Sequence, residues 1–263
     1  MKIITLVENT SNTNLIPVHG LSLYIETKKH KLLFDLGPDD TIFKNAKLLN
    51  IDLKNVDTVI ISHGHHDHGG ALEAFLKLNH KANIYIQRES FETHSNSSPK
   101  LHDISIDKAL MNDKQIKLLD GDFKIDDELS LFVVKTKDIY HSIMNDSLLE
   151  NGAIDSFNHE QNLVIKENKN VLIMGCGHKG IVNIISNCQD HVDYCIGGYH
   201  LYNRRLDKSV SDELLLEISK QLNKYKNTKF YTCHCTGKYA YEFLKAHMNN
   251  MNYLACGDVL NIL

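Results

Sequence analysis

The sequence predicts a layered α/β fold in one large domain, residues 1–263, and three observations predict it. Short apolar runs closed by glycine-containing turns alternate with segments of helical spacing, the pattern of a sheet covered by helices. Four of those runs end in a turn that carries histidine beside glycine or cysteine, in residues 62–70, 175–180, 197–201 and 233–237. The length is ample for a sizeable core, and no run approaches that of a transmembrane helix.

Residues 3–7 alternate as a first strand, followed by a polar loop over 8–20. Residues 21–25 and 31–34 read as a hairpin about Thr27-Lys28-Lys29-His30, ended by Asp35-Leu36-Gly37-Pro38. Ile42, Phe43, Ala46, Leu48 and Leu49 give a short helix. Residues 56–61, rich in Val and Ile, read as a buried strand, 71–78 as a helix and 83–86 as the next strand. The rhythm then breaks. Residues 88–102 are polar, without apolar period, and read as a loop or lid; strands resume at 116–119 and 129–134, and 135–159 is again irregular. Segments 88–130 and 135–160 are therefore expected to be inserts that cover the site. Residues 162–166 and 171–174 form a second hairpin, with a helix starting over 181–185 and a strand at 192–196. A helix over 211–222 is capped by Ser211 or Asp212. Strand 229–232, helix 238–247 and a last short strand complete the chain.

The densest chemistry is His63-Gly64-His65-His66-Asp67-His68, where five of six residues can bind a metal. A histidine-rich run can also be a tag-like surface tract. This one lies between a buried-type strand and an amphipathic helix, with glycines on both sides. Imidazole suits zinc, and imidazole with carboxylate also suits iron or manganese. The spacing suggests two metals side by side rather than one closed structural site.

The motif His63-x-His65-x-Asp67-His68 after an apolar strand resembles the signature of the metallo-β-lactamase superfamily of metallohydrolases. Gly175-Cys176-Gly177-His178-Lys179-Gly180, Gly197-Gly198-Tyr199-His200-Leu201 and His234-Cys235-Thr236-Gly237 are similar to motifs of one branch of it. That branch holds the dihydropterin ribofuranosylaminobenzene phosphate synthases of methanopterin biosynthesis and uncharacterised bacterial relatives. Glu8-Asn9, Gly20-Leu21-Ser22 and residues 155–163 look like it too. The resemblance implies an αββα sandwich of two mixed sheets flanked by helices.

It also implies that His63 and His65 hold one divalent ion while Asp67 and His68 hold a second, with His178 the next ligand and His234 the last. His159 is a rival to His178, since many superfamily members place their third imidazole before such a strand; Glu160 lies beside it. Where most members carry a bridging Asp, this chain has Cys176, a soft ligand or a small buried residue. Asp35 is implied to hold the metal loop from behind. His200, at a strand end, is read as a substrate contact or general acid, and Asp67 both binds metal and orients the attacking water. Zinc is the default for the two ions, with iron or manganese fitting the same donors. His19, His30, His80, His94, His102, His191 and His247 are read as surface residues.

A metal-activated water acting on a phosphoester, lactone, thioester or β-lactam is the expected chemistry. The branch favours a small, phosphorylated, pterin- or nucleotide-like substrate, with Lys100, Lys179, Arg204 and Arg205 as candidate phosphate contacts. Condensation of a pterin pyrophosphate with an aryl amine is the alternative, and a metal-binding sensor without turnover a third. A net charge of −4 offers no basic field for nucleic acid or an anionic membrane. Six scattered cysteines read as reduced thiols of a cytoplasmic protein rather than a disulfide scaffold. Homo-oligomerisation stays open.

Overall fold

The computed structural model of the chain describes residues 1–135, 140 and 142–263; residues 136–139 and 141 of the expected 135–160 segment lie outside the described residues. Two seven-stranded sheets organise it. The first runs, in spatial order, Val259–Asn261, Lys2–Val7, Ser22–Glu26, Lys31–Phe34, Thr58–Ile60, Asn83–Gln87 and Ile116–Leu119. The second runs Met251–Tyr253, Lys229–Thr232, Tyr194–Gly197, Asn170–Ile173, Asn162–Lys166, Leu129–Phe132 and Phe123–Lys124. Each is mixed. The four strands from Lys31–Phe34 to Ile116–Leu119 are parallel, as are the four from Asn170–Ile173 to Met251–Tyr253. The remaining pairs are antiparallel.

Alternation of side chains along a strand divides the core into layers. Leu32 and Phe34 face the second sheet, in one cluster with Leu163, Ile165, Val171, Ile173 and Ile196. Leu33, between them, packs with Ile42, Phe75 and Leu76 from the helices Thr41–Leu48 and Leu72–Leu78. On the far side, Val164 and Leu172 pack beneath Ile184, Leu215, Ile218 and Leu244 of the helices Ile181–Asn187, Asp212–Leu222 and Lys238–His247. Both sheets are thus apolar on both faces, which is why their strands read as near-continuous Val/Ile/Leu runs. The expected αββα sandwich is the observed one. Ser211 caps the longest of these helices, its side chain accepting from the Leu214 N–H.

The stretch 88–102, read from sequence as a loop, holds a short 3-10 turn, Arg88–Phe91, and a strand, His94–Asn96. That strand pairs with His102–Asp103 on one side and with Leu148–Glu150 on the other, and Ala153–Ile154 completes a four-stranded sheet. The pairing joins both irregular segments, and partners so far apart in sequence leave no apolar period to read. Among the described residues no helix is long and apolar enough to cross a membrane.

Candidate metal centre

Within each parallel set the strands point the same way, so the loops that follow them emerge along one edge, where ligand crevices of α/β sheets form. Asp35 follows Lys31–Phe34, and the His63–His68 run follows Thr58–Ile60. From the second sheet come Cys176 and His178, then His200, then His234, after three neighbouring parallel strands. They meet at a cleft of about 660 Å³, whose walls include His65, Asp67, Cys176, His178, His200 and Cys235.

The hydrogen bonds behind the rings fix which nitrogen faces the cleft. Asn145 brackets His178: its Oδ1 lies 2.9 Å from His178 Nδ1, while its Nδ2 donates to the His178 carbonyl at 2.9 Å. Asn9 does the same to His234, at 2.9 and 3.1 Å. An amide oxygen only accepts, so each ring carries its proton on Nδ1 and keeps a lone pair on Nε2. Two buried glutamates hold the same turns by the backbone. Glu8 Oε1 accepts from His234 N at 2.6 Å and from the Tyr253 hydroxyl at 2.7 Å. Glu160 accepts from His178 N and Lys179 N at 2.7 and 2.9 Å.

The first-sheet loop is held from Asp35, which is wholly buried. Its Oδ2 lies 2.6 Å from His68 Nδ1 and accepts from Ser62 Oγ at 2.7 Å. Because Ser62 Oγ gives its hydrogen to Asp35, it accepts from His63 Nδ1, 2.8 Å away, and His63 likewise presents a bare Nε2. His65, whose ring lines the cleft, has its Nε2 buried without a hydrogen-bond partner, 3.8 Å from Asp155 Oδ2, and its donor atom clusters with those of His94, Asp155 and His159. Asp35, His200 and His234 sit at positive φ, between 46° and 61°. That backbone is costly for side chains with a Cβ and is found where function over-determines it.

Buried Nε2 atoms of His63, His178 and His234 have no hydrogen-bond partner, an expensive condition unless something else satisfies them. Burial, reinforced by neighbouring histidines, drives the His63 and His178 rings well below their usual range, and burial takes His65 down to about 4, so all three are neutral lone-pair donors. On the other side of the cleft, burial opposes charging of His68, yet Asp35 and Asp67 outweigh it and lift it to about 9. Burial likewise opposes ionisation of Asp67, but His68, His234 and His19 hold its carboxyl well below the carboxylate range. Asp67 Oδ2 lies 3.2 Å from His234 Nε2 and 3.8 Å from His68 Nε2. Carboxylates that favour a proton at that spot also favour a metal cation. Bare imidazole nitrogens with one carboxylate and one sulfur make the donor set of a divalent metal centre.

His159 has no lone pair to offer. Its Nδ1 accepts the Gly64 N–H at 3.0 Å, so its proton is on Nε2, 3.1 Å from Asp155 Oδ2. His94 is not a surface residue: it is wholly buried, with Nδ1 3.3 Å from Asp155 Oδ2 and Nε2 3.2 Å from the Glu89 carbonyl. Both ring nitrogens are satisfied, which lets a polar stretch bury a histidine. His19 is not a free surface residue either. It is only half-buried, yet its Nε2 is 3.4 Å from Asp67 Oδ2 and its ring centroid 4.7 Å from that of His234. His30 is half-buried between Asp57 and Asp126, and His102 lines the cleft rim. His80, His191 and His247 are exposed.

His200 stands in the cleft with its ring centroid 4.2 Å from that of His178 and its Nδ1 unpartnered. Arg204 and Arg205, both exposed, line the same cleft, as do Asn96, Asp103 and Leu148 of the four-stranded sheet. Lys100 and Lys179 do not line it; Lys179 Nζ reaches Asn158 instead. Sequence reasoning gave no role to Asn145 or Ser62, and it marked Asp155 only as part of a stretch resembling the branch. Nothing local marks Asn145, 33 positions from the ring it brackets.

The sequence profile of the Metallo-beta-lactamase superfamily matches residues 15–141. A 7,8-dihydropterin-6-methyl-4-(beta-D-ribofuranosyl)-aminobenzene-5'-phosphate synthase of Methanocaldococcus jannaschii is 30% identical, over 99% of this chain and 96% of that protein. An uncharacterised protein of the same organism is 26% identical over 98% of both chains. A crystal structure of a metal-dependent hydrolase of the beta-lactamase superfamily superposes with a TM-score of 0.83, at 26% identity, covering 100% of this chain and 99% of that one.

Proposed function

The chain belongs to the metallo-β-lactamase superfamily, and from that premise we propose that it is a metal-dependent hydrolase acting on a phosphoester or another small-molecule ester at a dinuclear centre. The observation that carries the reading is the set of buried, unpartnered Nε2 atoms of His63, His178 and His234, whose rings are oriented by Ser62, Asn145 and Asn9. His63, His65 and His178 would hold one ion; Asp67, His68 and His234 the other. Zinc suits these donors, as do iron and manganese. When bound, such ions supply Lewis acidity toward the electrophile and a water that ionises near neutral pH.

The chain's own residues account for the rest. Asp67, steadied by His19 at 3.4 Å, accepts a hydrogen bond from the attacking water and aligns it. His200, whose Nδ1 is free, donates a proton to the leaving group. Arg204 and Arg205 at the cleft wall pair with a phosphate on the substrate. Burial of His63, His68 and Asp35 keeps bulk water from the rear of the site.

The test is metal content by mass spectrometry together with turnover of bis(p-nitrophenyl) phosphate. Two ions per chain, reduced in His178→Ala and His234→Ala but not in His159→Ala, with turnover abolished by a chelator and restored by zinc, is the expected result. Metal loss with His159 instead would overturn the ligand set, and bound metal without turnover of any ester would leave a binding protein. A second reading is favoured by the 30% identity to the synthase along nearly the whole chain. The same centre would then activate a pterin pyrophosphate toward an aryl amine, forming a carbon–nitrogen or carbon–carbon bond and releasing pyrophosphate. Offering both substrates and identifying the product separates the two: condensed product marks the transferase, and free pterin alcohol the hydrolase.

A further inference from the structure

We infer that a second cleft, behind His234, is the subsite for a planar aromatic ring that the substrate carries away from its reacting ester. The inference deepens the hydrolase reading above, for which it names a substrate class, and rests on it. The cleft measures about 410 Å³ and is lined by Asn9, Tyr202, His234, Gly237, Tyr239 and Tyr253. It shares a wall with the metal cleft, since Tyr202 lines both. His234 stands between the two. Asn9, whose Oδ1 lies 2.9 Å from His234 Nδ1, lines the second cleft, and Asp67, 3.2 Å from His234 Nε2, lines the first.

Three tyrosine rings give the second cleft its chemistry. Each hydroxyl is tied to a carboxylate: Tyr202 donates to Asp207 at 2.7 Å, Tyr239 to Asp212 at 2.6 Å and Tyr253 to Glu8 at 2.7 Å. With the hydroxyls engaged, the rings are held in place and offer the cleft their faces and edges. Tyr202 packs on Gly237, where a Cβ would lie 2.5 Å from the Tyr202 Cβ and 2.6 Å from its Cγ, so the position has room for glycine alone. The Tyr253 ring rests on that of Tyr241, centroids 5.1 Å apart. Tyr202 and Tyr253 are half-buried, and Tyr239 stands 52% exposed at the mouth. Fixed aromatic faces stack on a planar ring, a gain that an aliphatic chain of similar size does not share, and one stacked ring raises affinity roughly 5- to 150-fold. Arg204 and Arg205 follow Tyr202 in the same hairpin and line the metal cleft. One hairpin thus addresses a phosphate on one side and a ring on the other. The substrate class is a phosphorylated ester whose planar ring is set off from the phosphate by a spacer of about the size of a sugar.

The experiment is fluorine NMR of the whole protein labelled with 3-fluorotyrosine, in chelator so that nothing turns over. The probes are adenosine 5'-monophosphate and, lacking the ring, ribose 5-phosphate. Tyr202→Phe, Tyr239→Phe and Tyr253→Phe assign the three resonances. The nucleotide is expected to shift the Tyr239 and Tyr202 signals and to bind at least about fivefold tighter than the sugar phosphate. Tyr239→Ala should bring that ratio to about one, whereas Tyr239→Phe, which loses only the bond to Asp212, should keep it. Equal affinities in the wild type, a ratio that survives Tyr239→Ala, or nucleotide shifts that omit Tyr239 overturn the inference. Should Tyr239→Ala not fold, the wild-type shifts and ratio decide. Repeating the titration with zinc separates the two readings. Zinc that strengthens both probes alike, at a ratio of one, refutes the ring subsite and keeps the metal centre; a ring preference that zinc leaves without any gain in phosphate affinity keeps the subsite and counts against the centre.

Discussion

At the scale of the residue, the proposed centre would depend on side chains that touch no ion. Asn145 and Asn9 each grip one histidine twice, at Nδ1 and at the backbone carbonyl. Removing the amide frees the ring to rotate and to place its proton on Nε2, which abolishes the lone pair. Outer partners of this kind are worth about 10–100-fold in metal affinity. Asn145→Ala should therefore weaken zinc binding by that order in competition with a chromophoric chelator, and Asn9→Ala similarly. His159→Ala should not, because its ring engages Gly64 and Asp155 rather than the cleft; equal losses in all three variants would sink the tautomer argument.

At the scale of the element, the two sheets meet at the site through strand ends packed backbone to side chain. A Cβ at Gly175 would lie 2.1 Å from Ser62 Oγ, the hydroxyl that links Asp35 to His63. Gly175→Ala must push Ser62 away. Overpacking of this sort costs about 1–3 kcal/mol, and here it should also weaken metal binding because His63 loses its partner. Urea unfolding and a metal titration on one preparation check both, and full zinc affinity despite a lowered midpoint would separate packing from site. The sequence disclosed these turns unevenly, for a physical reason. His63–His68 announces itself because its donors are adjacent and follow a buried-type strand. The brackets from Asn9, Asn145 and Asp155 come from distant loops, so no spacing records them. His94 was misread for the same cause: burial of a histidine in a polar stretch depends on Asp155, 61 positions on. The paired strands of the two irregular segments stayed hidden because each is two or three residues long.

At the scale of the whole molecule, two clasps join the sheets, one at each end. Away from the cleft, His30 sits between Asp57 of the first sheet's side and Asp126 of the second's, at 2.9 and 2.8 Å. Burial pulls its imidazole down, but the bonds to Asp126 and Asp57 win and raise it above 6.5. Asp126 is opposed by burial and still drawn to about 2 by His30 and backbone donors. A raised histidine adds stability that is complete below its unfolded value and fades as pH rises through the folded one; a lowered aspartate adds stability that is lost in acid. The clasp should be strongest from about pH 4 to 6.5 and weaken above. A partly exposed ion pair contributes about 1 kcal/mol or less. The stability difference between wild type and His30→Gln should thus be larger at about pH 5.5 than at about pH 9, and the reverse order would refute the clasp.

The other clasp is the proposed metal centre. His63, His65, Asp67 and His68 hang from the first sheet, and His178 and His234 from the second, so ions held between them as proposed would tie the sheets together only in the folded chain. A ligand that binds the native state alone adds about 2.7 kcal/mol at a hundredfold excess over its Kd. For a domain of this size that is a rise of roughly 5–10 °C in Tm. Calorimetry of zinc-loaded protein should show a fall of that order on chelation, while His178→Ala, already lacking one anchor in the second sheet, should show a smaller one. An unchanged Tm on complete metal removal would mean that the ions do not span the sheets, and would return the ligand set to the loops of one sheet alone.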